Sequence, residues 1–193
     1  MAQSSEQPMP SVRRRSYDSR PSFQIETAMS CDVPPSTALT SVCVSSACDC
    51  REEDRQCPRA IWLPELAPSP ELVRWRESSV GNWDEFARRY RLELSTHEPA
   101  CERLRQTAGR DGLLLLYHEG ACDQNVAVVL KRHLERLECQ RRWDEGLMIG
   151  GYLYPIRETV IRCGGLWFER HRAWMLPDRD SWKFIQSLLP GDF

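Results

Sequence analysis

Apolar and polar positions follow two different periods along this chain, and each period predicts a different element. Residues 112–117 form a continuous apolar run between turn residues, which predicts a strand buried on both faces. Apolar residues that recur every three to four positions predict helices starting near Pro70, Trp83, Glu98 and Asp123. The order of helix, buried strand and helix indicates a small, helix-rich α/β layer. Its further strands must come from residues 39–46, from the vicinity of Ile61, or from a partner chain.

The C-terminal part predicts a second, smaller unit. In residues 164–177 apolar positions alternate on either side of a short polar stretch, which is typical of a tight β-hairpin. One helix is expected from Pro155 to Arg162 and another over residues 181–189, so the unit is an α-β-β-α module. We expect three indole rings to fill its core, those of Trp167, Trp174 and Trp182.

The same patterns divide the chain into four segments. Residues 1–58 are polar, interrupted by prolines and free of tryptophan, so we predict a disordered or irregular segment with one strand-like piece at 39–46. All seven tryptophans follow Ile61, so ordered packing should begin near residue 60. We therefore expect an α/β domain at 59–138, a charged linker at 139–151 and the α-β-β-α module at 152–193.

Composition narrows the function classes. The formal net charge is −2 and the pI is about 6.1, which argues against a protein that coats duplex DNA through a basic surface. The longest apolar run is too short to cross a bilayer, and no secretory signal is visible. We expect a cytoplasmic protein without a membrane partner, whose nine cysteines stay reduced.

The cysteines offer two chemical readings. Cys43, Cys48, Cys50 and Cys57 cluster, but their spacing does not follow the pairs typical of structural zinc sites, so we expect no metal and no cofactor. Cys122 precedes a predicted helix whose N-terminus would lower the pKa of a thiol. Since His118 is its one visible partner and no orienting group is evident, no catalytic residue is predicted.

Polar residues follow the buried strand, where α/β proteins commonly bind ligands. The candidate ligand-binding residues at this position are Tyr117, His118, Asp123, Gln124 and Asn125. The competing interpretation, which we favour, is structural: Asp123 caps the following helix and Asn125 hydrogen-bonds a loop.

Cations surround the predicted hairpin and suggest a weak nucleic-acid contact beside its aromatic rings. The candidates are Arg157, Arg162, Arg170, Arg172, Arg179 and Lys183, together with His171. Acidic residues nearly balance these charges, and this favours a core role for the tryptophans.

Five motifs in order over residues 61–135 resemble the YeaO-like family of uncharacterised bacterial α/β proteins. They are Trp62-Leu63-Pro64-Glu65-Leu66, Leu72-Val73-Arg74-Trp75, Trp83-Asp84-Glu85-Phe86 with Arg89-Tyr90, Leu115-Leu116-Tyr117, and Asn125 to Leu130. The family's N-terminal strand, with its Arg, Asp-Arg pair and Trp-Pro-Arg-Gly turn, has no match here. A phosphate- or carboxylate-binding role of those basic residues therefore does not carry over.

Residues 154–189 resemble a small domain of unknown function found beside primase, relaxase and helicase modules. The shared pattern is Tyr154-Pro155-x-Arg157, then Gly164-Gly165-x-Trp167, then Ala173-Trp174-x-x-Pro177. This resemblance implies a DNA-processing context.

Together these observations predict a non-catalytic accessory or binding protein, with an association with DNA processing. Two alternatives stay open. One is a small enzyme or binder that acts on an anionic metabolite at the strand-end pocket near Asn125. The other is a degenerate reading frame that has lost the first strand of the domain.

Overall fold

A computed structural model describes residues 23–30, 38–44, 60–78, 82–118, 120–151 and 153–189. Within them the chain is mixed α/β with two small sheets, as the sequence predicted. None of the helices in these segments has the length and apolar character needed to cross a bilayer.

The first sheet is parallel, in the order β1-β4-β2-β3, and it lies in the predicted α/β layer. Its strands are β1 (Ile25–Met29), β2 (Thr40–Cys43), β3 (Ile61–Trp62) and β4 (Leu113–Tyr117). β4 lies between β1 and β2, with Leu113 in register with both Ile25 and Thr40. All five residues of β4 are buried, as its continuous apolar run predicted.

Four helices accompany this sheet: α1 (Pro70–Ser78), α2 (Trp83–Ser95), α3 (Glu98–Arg110) and α4 (Val126–Asp144). Local capping explains where α1 and α2 begin, because Ser69 Oγ accepts from Leu72 N and Asn82 Oδ1 accepts from Glu85 N. α3 runs past the predicted stop at Gly109 and ends before Gly112, whose φ is +71°. Leu, Val, Phe and Tyr side chains of these helices form one core with alternate residues of the strands.

The C-terminal part has the predicted helix-hairpin-helix order. Its elements are α5 (Arg157–Arg162), β6 (Leu166–Phe168), β7 (Ala173–Met175) and α6 (Arg179–Ser187). A short strand, β5 (Met148–Ile149), adds to the hairpin and makes an antiparallel sheet in the order β5-β7-β6. The sequence pattern did not predict β5, because two residues are too few to show a period.

Two predictions about segment boundaries are wrong within the described residues. Residues 25–29, which belong to the predicted irregular segment, form β1. Their mixed composition does not predict a strand, but hydrogen bonds to β4 stabilise one. The first residues of the predicted linker continue α4 as far as Asp144. The strand-like piece predicted at 39–46 is confirmed over Thr40–Cys43 as β2, and residues 1–22, 31–37 and 45–58 lie outside the described residues.

The three tryptophans of the C-terminal module do not fill its core as predicted. Trp62 and Trp167 are half exposed, and the other five are partly buried at the margins of the cores. Trp174 and Trp182 pack against the buried cluster of the C-terminal module, whereas aliphatic side chains such as Val160, Leu176 and Ile185 form its centre. Smaller side chains fit the narrow space between a two- or three-stranded sheet and short helices.

Candidate functional site at the strand ends

His118 is the centre of a hydrogen-bonded chain at the carboxyl end of the parallel sheet. Its Nδ1 lies 2.9 Å from Ser30 Oγ, and its Nε2 lies 3.3 Å from Cys43 Sγ. Ser30 follows β1, His118 follows β4, and Cys43 ends β2, so three neighbouring strands each supply one group. This edge is where open parallel sheets commonly place their ligands.

The Ser30–His118–Cys43 chain can hold its protons in two neutral arrangements. The Cys43 thiol can donate to Nε2 while Nδ1–H donates to Ser30, or Ser30 can donate to Nδ1 while Nε2–H donates to Cys43. In either arrangement both ring nitrogens have a partner. The Cys43 side chain is 0% exposed, so the thiol lies inside the protein, where a nucleophile would not meet a substrate.

Asn125 performs a structural task. Its Oδ1 accepts from Val128 N at 3.0 Å and so caps α4, while its Nδ2 donates to Ala121 O at 2.8 Å and to Cys122 O at 3.3 Å. The residue is 0% exposed. Its amide therefore closes the loop before α4 and begins that helix, which is the structural alternative considered from the sequence.

The other predicted strand-end residues occupy different surroundings. Asp123 and Gln124 are exposed on the loop, and Asp123 is not the cap of α4, because Asn125 takes that position. Tyr117 is buried in the core that the helices share with the sheet. Cys122 is exposed, and the thiol beside His118 is that of Cys43. The strand end thus brings together His118, a predicted residue, with Ser30, which the sequence did not indicate, and Cys43, which was considered only as part of a cysteine cluster.

Ser30 and Cys43 escaped prediction because their relation to His118 is not local. They lie 88 and 75 positions from it in sequence. The available signal was positional and covered Cys43 alone, since it lies in the strand-like piece predicted at residues 39–46. Across the described part of the chain, no group of three or more His, Cys, Asp or Glu side chains is arranged to hold a metal ion. Of the predicted cysteine cluster, Cys48, Cys50 and Cys57 lie outside the described residues.

The basic candidates of the C-terminal module fall into two groups. Arg179 is engaged by the fold, because its guanidinium donates to Glu145 O and Gly146 O and lies over the Trp182 ring. Arg162 makes a long contact of 3.4 Å to Thr159 on its own helix. The second group is exposed and makes no side-chain hydrogen bond or ring contact with the described residues. It consists of Arg157, Arg170, Arg172 and Lys183.

The hairpin holds an aromatic ring and two of these arginines close together in sequence. Trp167 is 49% exposed and meets the Trp174 ring edge-on, with centroids 5.5 Å apart. Arg170 and Arg172 lie in the connection between β6 and β7, which is fixed on its other side by His171 stacked on Trp143 at 3.8 Å. Arg172 has φ +48°, a left-handed conformation that non-glycine residues rarely adopt.

Comparison with known proteins supports the resemblance over the first domain. Residues 49–147 match the family described as the inactive DUF488-N3 subclade. The chain is 34% identical over 93 residues to the uncharacterized protein YeaO of Escherichia coli (strain K12), covering 44% of this chain and 81% of that protein. No solved structure matches the chain. The chain therefore belongs to the YeaO-like family, within the group described as the inactive DUF488-N3 subclade.

Proposed function

We propose that this chain is a non-catalytic binding protein and that its C-terminal hairpin contacts single-stranded nucleic acid. Three features support the non-catalytic part. The matching family is described as inactive, the Cys43 thiol is withdrawn from solvent, and the Asn125 amide is fully engaged in starting α4. The last two features withdraw the Cys43 thiol and the Asn125 amide from any role in turnover at the strand end.

The observation that carries the nucleic-acid part is the exposure of Trp167. About half of this side chain is exposed to solvent. Phe168, the next residue of β6, and Met175 of the partner strand β7 are buried. A fixed, solvent-facing indole is the type of platform on which an unpaired base stacks. Its edge-on contact with Trp174 holds the ring in place without covering it.

Charge around the hairpin supports the same partner. Residues 153–189 carry six arginine or lysine residues against four acids, although the whole chain is slightly acidic. Arg170 and Arg172 lie in the same hairpin as Trp167, so a strand stacked on the indole would pass close to both guanidinium groups. Guanidinium groups bind phosphate oxygens strongly, and this contact carries no base preference.

Fluorescence anisotropy with a labelled oligothymidine of about 16 nucleotides tests the proposal. We expect salt-sensitive binding, weakened roughly fivefold or more by Trp167→Ala, since one base stack contributes about 1–3 kcal/mol. Trp62→Ala is the matched control, because Trp62 is 50% exposed but belongs to the other sheet. Absence of salt-sensitive binding, or equal losses in the two variants, would show that the hairpin is not the contact surface.

A second candidate function is the binding of a small anionic metabolite at the strand end. The Ser30–His118–Cys43 chain favours it, because three neighbouring strands place polar side chains together at the edge where open parallel sheets commonly bind ligands. A thermal-shift screen of phosphorylated metabolites tests it, with His118→Gln as the variant that should abolish a ligand-induced rise in Tm. A rise that persists in His118→Gln places the ligand elsewhere.

A further inference from the structure

A groove of about 350 Å³ lies between α2 and α4, on the helical side of the first domain. α2 contributes Arg88, Arg91 and Leu92, and α4 contributes His133, Arg136 and Leu137. On each helix these residues follow a spacing of three and four, so each set lies along one side of its helix. The two leucines supply apolar lining, and the arginines, His133 and Ser95 supply the polar lining.

Carboxylates of the described residues balance only part of the positive charge that lines this groove. Arg88 pairs with Glu85, and Arg141 and Arg142 pair with Glu138. Arg91 and Arg136 have no such carboxylate partner within the described segments, and the groove lining contains no acidic residue there. Glu135, the acid next to Arg136 in sequence, pairs with Lys131 instead, with Oε1 4.0 Å from Nζ.

His133 lines the groove together with arginines from both helices. Its imidazole is partly buried, and burial together with Arg136 and Arg91 lowers its pKa. Arg136 lies on the helix of His133 and Arg91 lies on the facing helix, so cations act on the ring from both sides. Such an arrangement costs free energy in the free protein, and a bound anion would offset that cost.

We propose that the groove between α2 and α4 binds a phosphate group. Arg91 and Arg136 would hold its oxygens, and the uncharged His133 ring would donate one N–H. Arginine suits this task because its planar guanidinium can donate two parallel hydrogen bonds to one phosphate. This inference does not depend on the hairpin, which belongs to the other sheet.

Titration of the full chain with pyrophosphate, followed through the NMR signals of the His133 ring, tests the proposal. We expect a saturable shift that sodium chloride at the same ionic strength does not reproduce. Arg91→Ala and Arg136→Ala should each weaken binding roughly tenfold or more, within the range for a charge-assisted hydrogen bond. Arg132→Ala is the matched control, because Arg132 is an exposed arginine of α4 outside the groove lining.

Oligothymidine binding by the same variants distinguishes the two sources of a phosphate group. A loss of oligonucleotide affinity in Arg136→Ala assigns the groove to a nucleic-acid backbone, and unchanged affinity assigns it to a small phosphorylated molecule. Either result supports phosphate binding in the groove, provided that pyrophosphate shifts the NMR signals of the His133 ring. No saturable shift, or an equal effect of Arg132→Ala and Arg136→Ala, overturns it whatever Trp167→Ala does to oligonucleotide binding.

Discussion

Arg142 Nε donates to Glu138 Oε1 at 2.7 Å, one turn apart on α4, with the two side chains 1% and 5% exposed. The same guanidinium donates through Nη1 to Gly164 O at 2.8 Å and to Met175 O at 2.9 Å. These carbonyls belong to the end of α5 and to β7, so one buried cation connects α4 to the C-terminal module. Arg105 of α3 and Arg141 also contact the Glu138 carboxylate.

Glu138→Gln should therefore lower the free energy of unfolding by about 3–5 kcal/mol, because it leaves the buried Arg142 without its counter-charge. Urea denaturation followed by circular dichroism measures this change. Glu102→Gln is the matched control, since Glu102 also pairs with Arg105 but at a more exposed position. If Glu102→Gln lowers the free energy of unfolding by more than about 1 kcal/mol, the loss in Glu138→Gln comes from removing a helix charge in general and not from burial.

The same carboxylate predicts how stability depends on acid. Burial would raise the pKa of Glu138, but hydrogen bonds from Arg141 and Arg142 and the charge of Arg142 lower it to about 2. Since the folded pKa lies below the unfolded value of 4.5, the stabilisation is complete above pH 4.5 and is lost as the pH falls toward 2. We expect a loss of roughly 3 kcal/mol over this window, measured by urea denaturation at a series of pH values. Glu138→Gln should flatten the curve, and an unchanged slope in that variant would contradict the assignment.

Local signals predicted the helices well, and non-local pairing explains what they missed. The capping interactions of Ser69 and Asn82 act within three residues, so the starts of α1 and α2 were visible in the sequence. β1 was not, because Glu26 and Thr27 interrupt its apolar character and its partner β4 lies far along the chain. The hairpin was predicted because both of its strands and its turn fall within a short segment.

The same difference between local signals and non-local pairing applies to the candidate site. The position after the buried strand pointed to His118 as a candidate, while its contacts with Ser30 and Cys43 depend on a strand order that periodicity cannot supply. Trp167 was assigned to the core because the pattern identifies its strand but not what covers that face. Apolar side chains at a sheet surface stay exposed when the flanking helices are too short to cover them.

Asn125→Ala should lower the free energy of unfolding by about 1–2 kcal/mol, because it removes the cap of α4 and the bonds that close the preceding loop. Asp123→Ala should change it by less than about 0.5 kcal/mol, since Asp123 is exposed and does not cap the helix. Thermal or urea unfolding of the two variants checks the difference. Equal losses would mean that Asp123 shares the cap.

Cysteine labelling should follow burial. In the folded protein Cys122 should react with iodoacetamide well before Cys101 and Cys139, because it is exposed and burial raises the pKa of each of the other two thiols to about 11. Cys43 should also stay protected until the protein unfolds. Peptide mass analysis over a time course measures the order, and rapid labelling of Cys43 would show that the strand end opens to solvent.

Arg172→Gly should raise the free energy of unfolding by about 1 kcal/mol, because glycine adopts the left-handed conformation at φ +48° without steric cost. If the hairpin binds nucleic acid, the same change should weaken binding by removing a cation. Arg172→Lys keeps both the strain and the charge and is the control. Paired measurements of stability and oligonucleotide affinity test whether strain is retained here for function.

The position of β4 between β1 and β2 has a consequence for synthesis of the chain. The ribosome completes β1, β2, β3 and α1–α3 before it produces the strand that joins the two halves of the sheet. A nascent polypeptide that stalls before Leu113 leaves β1 without a neighbour in this sheet and β2 with one open side. Such truncated products would expose open strand edges, and the first sheet can form only after β4 has been synthesised.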